Sequence, residues 1–130
     1  MAILLLVVTV LLLSEKPSYA EWVFVTTDGK GNTMYWDADS IRRKGNIANV
    51  WVLLDTSTVR ETIEGVPFRS SRTLHQVDCG KERFRVVAFT LFSGNMGSGQ
   101  LVASSQYMLG WERVRSEGSA RRLLKLVCEK

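Results

Sequence analysis

The stretch RSSRTLHQVDCGKERFRVVAFTLFS, residues 69–93, decides the fold. Arg69–Cys79 and Arg83–Ser93 repeat with the period of two that marks β-strands, around the tight connection Gly80-Lys81-Glu82. The reading is an antiparallel hairpin. Its first strand sets Thr73, His75, Val77 and Cys79 on one side. Its second strand is apolar on both sides, with Val86 and Ala88 opposite Val87, Phe89 and Leu91. A strand of that kind needs cover on both faces.

Outward from the hairpin, the period of two continues. Upstream, Ile47–Thr56 is a strand with Trp51 and Leu53 against Val50, Val52 and Leu54. Glu21–Thr27 and Thr33–Asp37 form another hairpin around Asp28-Gly29-Lys30-Gly31-Asn32. Asp37–Ile41 reads as one helical turn, Arg42–Asn46 as a polar loop, and Ser57–Pro67 as a loop by composition. Downstream, Gly94–Gly99 is a turn and Gln100–Gln106 a sixth strand. The period then changes. Ala120, Leu123, Leu124, Val127 and Cys128 recur at helical spacing, with Arg121, Arg122 and Lys125 on the opposite side, and Ser116 or Ser119 is placed to cap the start. The expected fold is α+β: an antiparallel sheet of about six strands with one C-terminal helix on one face. The other face must curl onto itself, meet a loop or meet a second chain. In the last case Trp51, Phe89 and Leu91 lie near a two-fold axis, and the protein is a homodimer.

The 130 residues bound the chain to one domain, and its 45% hydrophobic and 23% charged content exclude disorder. Residues 1–20 read as a signal peptide and 21–130 as the domain. Ala2–Leu13 is an apolar run broken by Thr9 and too short for roughly 30 Å of hydrocarbon, so no transmembrane span is expected. Ser18 and Ala20 form a small-residue cleavage site before Glu21. No Lys or Arg precedes the run: either the terminal amine supplies the positive charge, or translation starts further upstream. No cysteine stands at the cleavage point, so the destination is periplasmic or secreted.

Export alters the meaning of Cys79 and Cys128, the two cysteines of the chain. In an oxidising compartment a lone pair in a small domain is most simply a disulfide, here closing a loop of about 50 residues worth roughly 4 kcal/mol. A redox pair is the alternative, but no C-x-x-C spacing is present.

Catalytic and metal chemistry find little support. One histidine and two cysteines are too few for a conventional zinc site, so no metal and no cofactor are expected. His75 stands alone and reads as a packed polar residue. Asp37-Ala38-Asp39 begins like a calcium loop, but Arg42 occupies the position that needs glycine. The glycines at 94, 97 and 99 follow a strand without opening a helix, so they suit positive φ in a turn better than a phosphate cradle. The expectation is a non-enzymatic protein.

A formal charge of +4 is spread over four basic clusters: Arg42/Arg43/Lys44, Arg69/Arg72, Lys81/Arg83/Arg85 and Arg113/Arg115/Arg121/Arg122. Such a surface attracts polyanions or acidic protein patches, although a solvated face interspersed with Asp and Glu is the plainer account. Nucleic acid is excluded by compartment. The candidate ligand-contacting residues are Arg42, Arg43 and Lys44, expected in a loop outside the sheet, and Trp111, expected to be partly exposed ahead of the helix.

The order of several short motifs resembles the surface-adhesin protein E family of small exported proteobacterial proteins. They are Ala20-Glu21-Trp22-Val23, Tyr35-Trp36-Asp37 with Ser40-Ile41-Arg42, Asn49-Val50-Trp51-Val52-Leu53, Ser70-Ser71 leading to Asp78-Cys79, and Arg83-Phe84-Arg85. Ser93-Gly94, Met96-Gly97-Ser98-Gly99, Trp111 and Val127-Cys128 complete the set. The resemblance implies a six-stranded antiparallel sheet with a disulfide-tied terminal helix. It also implies a binding protein of the cell surface, contacting host matrix or serum proteins and able to dimerise. The alternative is a periplasmic structural or assembly subunit that contacts an envelope protein.

Overall fold

The computed structural model describes residues 21–106 and 108–129. The signal-peptide reading of residues 1–20 lies outside the described residues. The strands are β1 (Val23–Thr27), β2 (Asn32–Trp36), β3 (Arg42–Lys44), β4 (Ile47–Glu61), β5 (Pro67–Asp78), β6 (Arg83–Phe92), β7 (Leu101–Ser105) and β8 (Glu112–Arg113). The helix α1 spans Ser119–Cys128. All strand pairs are antiparallel, in the order β1-β2-β4-β5-β6-β7. β3 lies along β4 and β8 along β6.

The β5–β6 hairpin forms as expected, but the sheet has eight strands among the described residues rather than about six. The two additions, Arg-Arg-Lys in β3 and Glu-Arg in β8, are exposed throughout. Such strands are held by backbone pairing and carry no apolar alternation to betray them. Residues 42–44 are therefore not a loop outside the sheet. Arg42, Arg43 and Lys44 pair with Asn49, Ala48 and Ile47 around the Gly45-Asn46 turn, where Gly45 takes φ +61°. β4 likewise runs past Thr56, the end expected from composition, to Glu61. Its exposed polar end pairs with β5 after a bulge, and the Thr56 hydroxyl donates into that bulge, to Thr58 O at 2.7 Å.

α1 covers the face of the sheet that carries Val25, Met34, Trp36, Ala48, Val50, Val52 and Val77. Leu123, Leu124 and Val127 of the expected stripe bury against it, Ala120 and Cys128 pack there partly buried, and Val114 joins them. The helix starts differently from the expectation. Gly118, at φ +107°, precedes Ser119, and no side chain caps the first turn. Cys79 and Cys128 form the disulfide that ties the other end.

That end has a second tie. Arg43 shares a face with Ala48 and Val77, the helix side, and its Nη1 donates to Cys128 O at 3.1 Å. A cation on the last carbonyls offsets the negative end of the helix dipole. Arg43→Ala should therefore lower stability by about 0.5–1 kcal/mol, mostly lost at high salt. Arg42 Nη1 donates only to the segment just before β3, at Asp39 O and Ile41 O, so Arg42→Ala should change stability little. Urea denaturation at low and high salt checks both, and equal losses would remove the capping role.

The face without the helix meets a loop, one of the three covers the apolar pattern allows. Asn95 Nδ2 and Met96 N both donate to Asp55 Oδ1, at 3.0 and 2.8 Å. Gly97 N donates to Ser70 Oγ at 2.9 Å, and that hydroxyl donates on to Gly94 O at 2.6 Å. The loop closes over Leu53, which is fully buried. A Cβ on Gly97 would lie 3.8 Å from Leu53 Cδ1, and its φ of +74° favours glycine. The glycine-rich segment thus does more than turn the chain.

A bulge in β6 corrects the reading of that face. Leu74 pairs with Ala88 but His75 pairs with Val86, so Val87 is the extra residue. One extra residue reverses the phase of everything after it. Phe89 pairs with Thr73 and Leu91 with Ser71, which puts both on the helix side. Trp51, paired with Leu74, is on the other. Trp51, Phe89 and Leu91 do not form one surface.

His75 sits beneath α1, as its strand phase implied, beside a cavity of about 130 Å³ lined by Val77, Phe84, Val114 and Leu123. Its ring stacks on Phe84, with centroids 5.9 Å apart, and its Nδ1 lies 3.1 Å from Thr73 Oγ1. Burial is the main cause that pulls its pKa down to about 4, against a weaker opposing hydrogen bond that the ring donates to the Thr73 backbone. At neutral pH the imidazole is an uncharged part of the core.

Candidate binding surface

Register assembles the second surface. Antiparallel partners point to the same side of a sheet. Across one row run Lys44, Ile47, Asp78, Arg83 and Arg113. Across the next run Arg42, Asn49, Gln76 and Arg85. Trp51, Leu74 and Ala88 follow, then Leu53, Arg72 and Thr90. All lie on the face opposite α1. Basic residues scattered over seventy positions of sequence thus meet on four strands.

Aromatic rings hold several of these cations. Arg83 Cζ and Arg85 Cζ lie 4.4 and 4.2 Å from the Trp111 ring centroid, and Arg72 Cζ lies 4.4 Å from that of Trp51. Stacking uses the flat of a guanidinium and leaves its in-plane N–H groups for an acceptor. Arg85 Nε also donates to Gln76 Oε1 at 2.7 Å, and Gln76 Nε2 to Asn49 Oδ1 at 3.2 Å. Polar bonds across three strands therefore fix the row.

Asp78 is the acid of the row from Lys44 to Arg113. Oδ1 accepts from Gly80 N and Lys81 N, closing the turn, while Oδ2 accepts from Arg83 Nε at 3.0 Å. The Lys81 N–H first, then Arg83, hold its carboxyl below the ordinary range. The carboxylate is committed to its own turn and neutralises one cation of the row.

The residues expected to meet a ligand are divided by this geometry. Arg42 and Lys44 lie on the basic face, whereas Arg43 lies on the helix side. Trp111 is half-buried under two arginines rather than presented alone. Arg72, Arg85 and Arg113 complete the surface. Each stands in a basic cluster of the sequence, but only the strand register shows that they share a face.

A second concavity opens on the helix side, beyond the start of α1. It encloses about 380 Å³ over Met34, Leu54 and Phe68, and Arg60 at its rim donates to Asn32 Oδ1 at 2.8 Å. It exists because the ten-residue helix covers only part of the sheet.

A family model described as Surface-adhesin protein E matches residues 22–129. The chain belongs to the surface-adhesin protein E family. Crystal structures of Haemophilus influenzae protein E share the fold of this family member. One, in crystal form II, superposes with a TM-score of 0.68 at 13% identity, covering 87% of this chain and 91% of that one. Another, from a non-typeable strain, gives 0.63 at 13% identity over 88% and 80%. No curated protein matches the chain by sequence. The family implies an adhesin-like protein of the cell surface. Several motif residues that carry the family resemblance serve the scaffold here: Trp36 is core, Asp78 closes a turn, and Ser70 and Gly97 pin the loop over Leu53. The basic face is laid over that scaffold.

Proposed function

We propose that the protein is an exported, non-enzymatic adhesin that binds proteins or polyanions of the host matrix through the sheet face opposite α1. The observation that supports this reading is the gathering of Arg42, Lys44, Arg72, Arg83, Arg85 and Arg113 on that face, three of them stacked on tryptophan. Four of them, Arg42, Lys44, Arg72 and Arg113, are exposed, and cations of this kind lose little on desolvation and speed encounter with an acidic partner. Export uses residues 1–20 and leaves Glu21 as the first residue. Two copies pressed together through this half of the face would oppose like charges, so a dimer would use another surface.

Protease treatment of intact cells tests the reading. The protein should be digested without permeabilisation, and its intact mass should start at Glu21. A chain protected until the outer membrane is opened would refute the adhesin role and return the protein to the periplasmic assembly class.

A further inference from the structure

We propose that the basic face binds a linear sulfated glycan of the heparan-sulfate class, laid across β3, β4, β5, β6 and β8. The assignment rests on the adhesin reading for its setting and deepens it by naming the ligand.

Three observations carry it. The first is shape. The row from Lys44 to Arg113 crosses four interstrand steps, about 19 Å at about 4.8 Å per step. The next row, with Arg42 and Arg85, lies about 7 Å along the strands. Lys44, Arg83 and Arg113 spread over the first row, with Arg42 and Arg85 in the next, match a chain with repeated anions rather than a single headgroup or a free phosphate.

The second is the state of the arginines. Arg83 and Arg85 are clamped on Trp111 and Arg72 on Trp51, so less side-chain freedom is lost on binding. Arg72 is exposed, and the Nη groups of half-buried Arg83 and Arg85, whose Nε atoms bond Asp78 and Gln76, are left to pair with the oxygens of a sulfate. Asp78 offsets Arg83 alone, and Lys44, Arg72 and Arg113 have no ion-pair partner among the described residues. Closely spaced cations in excess suit a densely sulfated chain better than one with sparse carboxylates.

The third concerns the rings themselves. Trp51 and Trp111 are half-buried beneath guanidinium groups. They cannot insert into a bilayer interface, nor stack on bases as single-stranded nucleic acid requires.

Calorimetry with a size-defined heparin oligosaccharide tests the assignment. Binding should weaken as salt rises. Arg42→Ser/Lys44→Ser/Arg113→Ser should bind about tenfold or more weakly. Lys30→Ser/Arg122→Ser/Lys125→Ser removes the same charge away from the face and should stay within about twofold. Arg72→Gln, a single exposed change, repeats the test should the triple variant fold poorly. Equal binding of a desulfated oligosaccharide, or equal loss in both triple variants, overturns the assignment. Anionic vesicles that bind where heparin does not would transfer the face to a membrane surface. If heparin fails while protease-accessible protein still promotes adhesion, the glycan falls and the adhesin reading stands.

Discussion

Replacing Cys128 with serine should lower the stability of the domain by about 4 kcal/mol. The bridge joins positions separated by 49 residues, and opening it returns loop-closure entropy to the unfolded chain. That is a large share of the roughly 5–15 kcal/mol that holds a domain together. The local setting sharpens the expectation. Cys79 follows β5, with its N–H donating to Asn46 O at 2.8 Å, and Cys128 is the last residue of α1. A helix of ten residues is marginal alone, and this one lacks a side-chain N-cap. Without the bridge, Arg43 and the apolar stripe alone hold its end. Residual structure in the unfolded chain trims the loss. Cys79→Ser should lose as much, and the double variant no more, because all three remove one bond. Urea denaturation reads these differences, and an unchanged midpoint in any single variant would contradict them.

Acidification should cost about 3 kcal/mol between pH 6.5 and pH 4, through His75 alone. In the unfolded chain the imidazole titrates near its ordinary 6.5, and in the fold near 4. Between these values the unfolded state binds a proton that the native state refuses, so stability falls as pH falls, by about 1.4 kcal/mol per unit. The contribution is complete above pH 6.5 and gone below about pH 4. Asp78 and Asp28 act in a different window. Their carboxyls are held below the usual 3.8, so the stability they add is lost only at more acid pH. His75→Leu should therefore flatten the curve between pH 6.5 and 4 while leaving the acid limb in place. Denaturation midpoints across this range decide the matter; a wild-type profile as flat as that of His75→Leu would show that the histidine stays solvated.

Much of this was legible in residue order. The stripe Ala120, Leu123, Leu124, Val127 specifies an amphipathic helix because only one side of it is apolar. The phase of Thr73, His75 and Val77 specifies which side of β5 that helix covers, and the structure buries all three. The bridge followed from two cysteines and an exported chain. β3, β8 and the far end of β4 were not legible, because backbone pairing holds them and their side chains stay in water whether or not they pair.

The candidate surface shows the boundary most clearly. Sequence by itself determined that the chain carries excess basic charge in four clusters and that apolar strands need cover on both sides. It could not divide those clusters between faces. Face is a matter of phase, and the extra residue at Val87 reverses the phase of Phe89 and Leu91. β3 adds a second cause, because its alternation sends Arg42 and Lys44 one way and Arg43 the other. Only the tertiary pairing set Arg42, Lys44, Arg72, Arg83, Arg85 and Arg113 on one side and folded the 94–99 loop over Leu53. Strand register is a property of the partner as much as of the strand, and no local pattern contains it.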